Sequence, residues 1–424
     1  MMTEEQQPAI EVRSRKNVIQ NRTIRDWDTH AIRIDRIALL TGGGDKPYAL
    51  GMAAALTSHG IFLDFIGSDD LEVSQLLNNA RVTFLNLRRD QRSDVNPFAK
   101  VLRVLAYYGR LIRYAATAKP KIFHILWHNK FVVFDRTVLL SYYKLLGKTI
   151  VLTAHNVNAG KRDSKDSWLN RLSLKSEYGL SDHIFVHTEK MKGELISEFN
   201  ISPGKVTVVP FGINNTVPNT KLSTMQAKGR LGLSNRNKTM LFFGNIAPYK
   251  GLEYLVTAFS IVANKDENYR LIIVGKPKGG WTYWNQIQNS IKRSEFCGRV
   301  IQEIEYVPDE QTELYFKAAD VSILPYKHIF QSGVLFLGYS FGLPAIAADV
   351  GSLREEIIED KTGFVFKPRD PVDLARAIEQ YFASELFQQL ESRRSDIKLY
   401  ANERYSWSKV ATLTTAVYSI LPGN

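Results

Sequence analysis

The sequence predicts two doubly wound α/β domains facing each other across a cleft. Apolar runs of strand length alternate with helix-length stretches over residues 34–212, and the alternation restarts at 239. A polar stretch at 214–234, with Pro218 and several Asn, Thr and Ser, separates the two runs and reads as a linker. With 424 residues, 44% of them hydrophobic, the chain has material for two sizeable cores.

Residues 1–31 are polar and aperiodic and read as an N-terminal arm. The N-terminal domain is expected over 32–213. From Ile34 an apolar strand runs into Thr41-Gly42-Gly43-Gly44 and then a helix rich in Ala and Leu. IFLDFIG (61–67) is the next strand, and 98–118 reads as helix. IFHILWH (122–128), TIVLTAH (149–155), HIFVHT (183–188) and KVTVVPFG (205–212) follow as strands, with helices expected at 136–146, 168–179 and 189–198 between them. The second domain, 235–400, opens on TMLFFGN (239–245) and a helix at 250–264. RLIIVGK (270–276), VIQEIEYV (300–307), VSILPY (321–326), PAIAAD (344–349) and GFVFKP (363–368) are its further strands. Helices are expected at 281–294, 308–319 and 333–341, and they fill the remainder.

Composition narrows the function classes. Cys297 is the sole cysteine, which excludes an internal disulfide framework and a multi-cysteine zinc module and points to a reducing cytoplasm. No apolar run reaches about 18 residues, so no spanning helix is expected, and the acidic start is followed by no signal-type apolar region. The net charge of +12 suits phosphorylated small molecules, anionic lipid or nucleic acid. Nucleic acid is not expected as a partner, because the cations are not organised as a nucleic-acid module.

The cations concentrate at 98–121, where Lys100, Arg103, Arg110, Arg113, Lys119 and Lys121 stand without an acid among Leu, Ile, Val and Tyr residues. One reading is a helix lying on an anionic membrane surface, at the inner face of a membrane. The other is a core-facing helix with a solvated basic back.

Four places carry the chemistry. Gly43 and Gly44 lie between a strand and a helix start, where backbone can approach a phosphate closely. Lys250-Gly251 stands at another strand-to-helix turn and suits a diphosphate. Lys276 ends a strand, where it could hold a base or ribose. Gln331-Ser332-Gly333-Val334 opens a helix whose amides suit phosphate. Alone, the glycine turn is as well explained by a plain strand–helix turn, and each of the other three is better explained by capping or turn chemistry. No Asp-x-Asp pair ends a strand, so metal-independent chemistry without a cofactor is expected.

Order and spacing together go further. FFGNIAPYKGLEYLV, LIIVGK, the run from Glu305 to Ile357 and TGFVFKPRDPVDLARAI resemble the donor region of family 4 glycosyltransferases of the GT-B fold. The glycine turn, TAHN, and FVHT with KVTVVPFGI fall in the family's order in the first half. The resemblance spans roughly 34–420. It implies two Rossmann-like domains and a C-terminal helix, 401–424, crossing back to the N-terminal one. It also implies transfer from a nucleotide sugar, UDP- or GDP-linked, with retention, onto a glycan or lipid-linked acceptor as in surface polysaccharide or glycolipid synthesis.

By the same resemblance, Lys250 and the amides of Ser332, Gly333 and Val334 hold the donor diphosphate, with Gly43 and Gly44 approaching from the other domain. Lys276, Tyr306 and Val307 lie near the nucleoside, and His155 of TAHN contacts the transferred sugar and is the catalytic candidate. Two departures stand out. Asn245 occupies the place of the family's donor-loop Arg. Of the family's two glutamates, the first gives way to the Gln331-Ser332 region and the second to Leu337. A catalytically silent relative that binds a nucleotide sugar or a partner is therefore the alternative function.

Overall fold

The computed structural model describes residues 36–71, 74–90, 96–162, 166–213, 217–329 and 331–422. The polar arm expected at 1–31 and residues 214–216 of the linker lie outside them.

The first sheet has seven strands: β1 (Arg36–Leu40), β2 (Phe62–Ile66), β3 (Val82–Leu85), β4 (Ile122–Ile125), β5 (Thr149–Thr153), β6 (His183–Val186) and β7 (Val206–Val208). Their order is β3-β2-β1-β4-β5-β6-β7, and every pairing is parallel. The order reverses at β1, so Ala38 sits between Asp64 on one side and Phe123 on the other. Strands β4, β5 and β6 are buried throughout, because helices cover both faces of the sheet.

One face carries α1 (Lys46–Ser58). Asp45 caps it by accepting from the Tyr48 amide at 2.9 Å. The other face carries α2 (Pro97–Thr117), α3 (Leu140–Leu145), α4 (Trp168–Leu180) and α5 (Glu189–Phe199). Tyr107, Leu111, Tyr143, Leu174, Tyr178 and Leu195 of these helices share one core. The helix expected at 136–146 begins as a π-helical turn at Asp135–Leu139 before continuing as α3. Strand β3 was not anticipated. It is an edge strand, half-buried along its length, so its four residues lack a continuous apolar signal.

The second sheet has six parallel strands in the order β10-β9-β8-β11-β12-β13. They are β8 (Lys238–Phe243), β9 (Tyr269–Val274), β10 (Val300–Glu303), β11 (Val321–Leu324), β12 (Ala345–Ala348) and β13 (Gly363–Phe366). Within 214–234, Thr224–Arg230 forms α6, which starts on a Ser223–Gln226 capping box. Helices α7 (Leu252–Ala263), α8 (Thr282–Lys292), α9 (Asp309–Ala318), α10 (Gly333–Ser340) and α11 (Pro371–Ala383) complete the layers.

The chain then returns. Helix α12 (Leu390–Tyr405) leads into α13 (Trp407–Ile420), which packs on α1. Trp407 fills the space over two glycines: a Cβ at Gly51 or at Gly212 would stand 2.2 or 2.4 Å from its ring. Its Nε1 donates to the Ile213 carbonyl at 3.0 Å, and Tyr418 reaches the buried His124 in β4. The last helix therefore belongs to the core of the first domain.

Candidate active site

The two sheets present their strand carboxyl ends to one cleft, and a pocket of about 380 Å³ lies there. Its walls come from both domains. Asp45, Tyr48 and Phe211 stand on one side, and Gly244, Lys250, Gln331 and Ser332 on the other.

Lys250 is the central cation of the second wall. After β8 the chain turns through Gly244 (φ 92°), a 3-10 turn at Pro248–Lys250 and Gly251 (φ 64°). A Cβ at Gly251 would stand 2.1 Å from the Pro325 carbonyl oxygen, so the turn requires glycine there. The turn folds Lys250 back under the strand end, leaving it 6% exposed. Its Nζ donates to the Phe243 carbonyl at 3.3 Å and lies 5.2 Å from the Tyr326 ring centre. Among the described residues no carboxylate pairs with it. Burial pushes its pKa down to about 8.

Beside it, Ser332 precedes α10, and the first amides of that helix open on the pocket. The Ser332 hydroxyl is 3.2 Å from that of Tyr326. Gly333 is exposed, with open space where a Cβ would stand. Val334 and the exposed Asn245 also line the pocket. Gln331 is notable because both polar atoms of its side chain are buried without a partner. Leu337, standing where the resemblance places a glutamate, is buried and contributes an apolar wall.

The expected nucleoside residues stand apart from this pocket. Lys276 and Tyr306 are exposed at the ends of β9 and of the segment after β10, and Val307 packs in a core with Val274, Leu337 and Phe341.

On the first wall, the glycine turn holds its shape through the Gly44 amide, which donates to the Thr41 carbonyl at 3.1 Å. Both expected glycines are exposed and lie just outside the lining of the pocket, and each has a side chain close to where a Cβ would stand. A Cβ at Gly43 would meet the Arg88 guanidinium at 1.8 Å, and one at Gly44 the Trp127 ring at 1.9 Å. Burial raises the Asp45 carboxyl, and Asp309 across the cleft adds to the shift.

His155 ends β5 one layer behind the pocket. Its ring stacks on Trp127 with centroids 4.1 Å apart and meets the edge of Tyr48 at 4.7 Å. Its Nδ1 is 3.0 Å from His187 Nε2, while its own Nε2 is buried without a partner. Burial holds it well below the ordinary imidazole range, with His187 and His124 adding to the effect, so it is neutral. It can bond a hydroxyl but supplies no charge. Tyr48, Trp127, Phe211 and Trp407, which build this cluster, were not singled out in the sequence. Only the place of Trp127 at the end of a strand could have suggested it.

Behind Trp127, the 128–136 segment is fixed by buried charge. His128 and Arg136 both bind Glu177, the latter at 2.8 Å. Asp135 accepts from Tyr108 at 2.8 Å and from the Asn129 amide at 2.6 Å. Of the four candidate membrane-surface cations on α2, Lys100 and Arg113 are exposed. Arg103 turns to Asp90, and Arg110 donates to the Leu87 carbonyl at 2.8 Å. Among the described residues no helix is long and apolar enough to cross a membrane.

Two family models match the chain: Glycosyltransferase Family 4 over 42–216 and Glycosyl transferases group 1 over 237–384. Similar curated proteins include the D-inositol 3-phosphate glycosyltransferases of Corynebacterium diphtheriae, 23% identical over 89% of each chain, and of Corynebacterium glutamicum, 22% identical over 89% of this chain and 91% of that one. Among solved structures, sucrose-phosphate synthase from Thermosynechococcus elongatus superposes with a TM-score of 0.73 at 18% identity, covering 91% of this chain and 98% of that one. Anabaena HepE in complex with UDP-glucose gives 0.70 at 15%, covering 91% and 100%. With two facing parallel sheets and matches in both halves, the chain belongs to the family 4, group 1 glycosyltransferases of the GT-B fold.

Proposed function

We propose that this protein is a retaining, metal-independent glycosyltransferase that moves a hexose from a nucleotide-diphosphate sugar to a glycan or lipid-linked acceptor, in surface polysaccharide or glycolipid synthesis. One observation carries the reading: a buried lysine with no carboxylate partner among the described residues faces a cleft beside the free amides of a helix start. Breaking the bond between the anomeric carbon and the phosphate oxygen leaves charge on the diphosphate and makes the sugar cation-like. Lys250 and the amides of Ser332, Gly333 and Val334 are the fixed charge and dipoles that would meet the leaving group. In this reading Gly43 and Gly44 close on the donor from the other domain, Asn245 lines the diphosphate end, and Lys276, Tyr306 and Val307 lie toward the nucleoside. Neutral His155 would bond the transferred sugar.

A uridine donor is favoured by the structural relative solved with UDP and with UDP-glucose. The curated relatives named for D-inositol 3-phosphate suggest a small hydroxyl-rich acceptor headgroup. The single cysteine favours work in the cytoplasm.

The second reading, a silent relative that binds a nucleotide sugar or a partner, is favoured by Asn245 and Leu337 in place of an Arg and a Glu. A thermal-shift panel of UDP, GDP, ADP and their sugar conjugates, repeated on Lys250→Ala, tests donor binding. At 100 times its Kd a ligand stabilises by about 2.7 kcal/mol. Sugar release or transfer by wild type, lost in Lys250→Ala, supports the enzyme. Donor binding without turnover supports the silent relative.

A further inference from the structure

The outer side of the helical layer over β4, β5 and β6 exposes more apolar surface than its fold requires. Because the first sheet is all parallel, each helix that follows a strand starts at the carboxyl ends, beside the cleft. Helices α2 and α4 start there, and so does the turn at Phe131. Their first two or three turns expose Phe98 (70%), Leu102 (50%), Leu105 (56%), Phe131 (46%), Trp168 (76%) and Leu172 (55%). The three elements are joined side by side. Phe131 stacks on Tyr108 of α2 at 5.6 Å, and Arg136 Nη1 donates to Asn170 of α4 at 3.1 Å. The apolar side chains therefore form one rim along the acceptor side of the cleft.

Charge on this rim is mainly positive. From Asn96 to Lys148 the chain holds ten Lys and Arg and a single acid, Asp135, which is buried beneath Tyr108. The acid within α4, Glu177, is buried against His128 and Arg136. Lys100 and Lys130 stand exposed among the apolar groups, and Arg171 is paired with Asp166, just before α4, at 2.8 Å. A surface both apolar and cationic matches the boundary of a bilayer, where acyl chains take the aromatic side chains and anionic headgroups the ammonium groups. A second copy of the chain would bring like charge against like, so the rim is poorly made for self-association.

We propose that this rim is a docking surface for an anionic lipid bilayer, which brings the first domain's side of the cleft to the membrane. The proposal rests on the reading of a lipid-linked acceptor. It replaces a single basic helix with a rim built from three elements. Arg103, Arg110 and Arg171 are paired within the protein, so Lys100 and Lys130 are the headgroup contacts.

Sedimentation with vesicles tests it, using phosphatidylcholine alone and phosphatidylcholine mixed with phosphatidylglycerol. The wild-type protein is expected to pellet with the mixed vesicles only, and less as salt rises. Phe98→Ser combined with Trp168→Ser should lower partition at least about tenfold, as should Lys100→Glu with Lys130→Glu. The thermal shift given by UDP should stay at the wild-type value in both, which shows that the fold and donor site are intact. Equal pelleting of wild type and the Phe98/Trp168 variant overturns the proposal, as does equal binding to neutral and anionic vesicles. A dimer abolished by the same substitutions overturns it in favour of self-association. Vesicle binding that depends on the rim, in a protein that UDP does not stabilise, supports the surface and overturns the donor reading instead.

Discussion

Replacing Lys250 with methionine separates what its ammonium does to the fold from what it does for a ligand. Burial takes its pKa from 10.5 to about 8. Each unit corresponds to about 1.4 kcal/mol, so keeping the group charged costs the free protein about 3 kcal/mol at neutral pH. The sign follows from proton counting. Between pH 8 and 10.5 the folded chain binds fewer protons at this site than the unfolded chain, so stability rises with pH across that window. Below pH 8 the penalty is complete. Lys250→Met keeps an unbranched stem against Tyr326 and removes the charge. At neutral pH it should stabilise the free protein by up to about 3 kcal/mol, or about 2–4 °C of Tm per kcal/mol for a domain of this size. The gain should vanish above pH 10.5. Urea unfolding at both pH values measures it, and thermal shifts with UDP measure the other half, which should be lost. A variant less stable than wild type at neutral pH and still stabilised by UDP would refute the reasoning on both counts.

Other outcomes follow from the same geometry. Glu177→Gln leaves Arg136 and His128 without their buried partner and should destabilise by about 3–5 kcal/mol in chemical denaturation. Burial raises the Glu177 carboxyl, but His128 and Arg136 outweigh it and hold it below its ordinary range, so the stability it contributes should be lost as pH falls through its folded pKa. Gly51→Ala gains at most about 1 kcal/mol of helix propensity, but its Cβ would stand 2.2 Å from Trp407. The net effect should be a loss of about 1–3 kcal/mol, read as earlier proteolysis of the C-terminal helix. His155→Ala should lower kcat by about 100-fold and leave the thermal shift given by UDP unchanged. An unaltered kcat would remove His155 from the reaction centre.

Legibility followed burial. Strands such as β5 and β12 are buried on both faces and therefore appear as unbroken apolar runs. The edge strand β3 is half-buried and was invisible. The second wall of the cleft could be read because one continuous turn, from Gly244 to Gly251, forces Lys250 into place. The first wall could not. Tyr48, Trp127, His155, Phe211 and Trp407 come from five separate segments, and only tertiary packing brings their rings within about 4–6 Å of one another. The same holds for the docking rim. The sequence displayed the cations of α2, but the inward turn of Arg103 and Arg110 and the company of Phe131 and Trp168 depend on how three helices lie side by side.

Three under-satisfied polar groups gather around the cleft: the Lys250 ammonium, both amide atoms of Gln331 and Nε2 of His155. Each buried unpaired group costs about 1–3 kcal/mol, and several at one place are a burden that ordinary apolar substitutions would relieve. A diphosphate offers acceptors to Lys250 and a sugar offers hydroxyls to Gln331, so one ligand in the pocket would satisfy both, and in the proposed reading the sugar would also reach His155 behind them. This favours an occupied cleft despite the Asn245 and Leu337 departures, because a lost Arg and Glu weaken affinity while the remaining groups keep their reason to be there. It does not by itself favour catalysis, since a silent binder would keep Lys250 and Gln331 for the same reason. Neutral His155 differs from them: it adds no charge attraction for the donor, and in the proposed reading its value would lie at the sugar, where the bond breaks. Turnover in the His155 variant, rather than donor affinity, is therefore the quantity that separates transfer from binding.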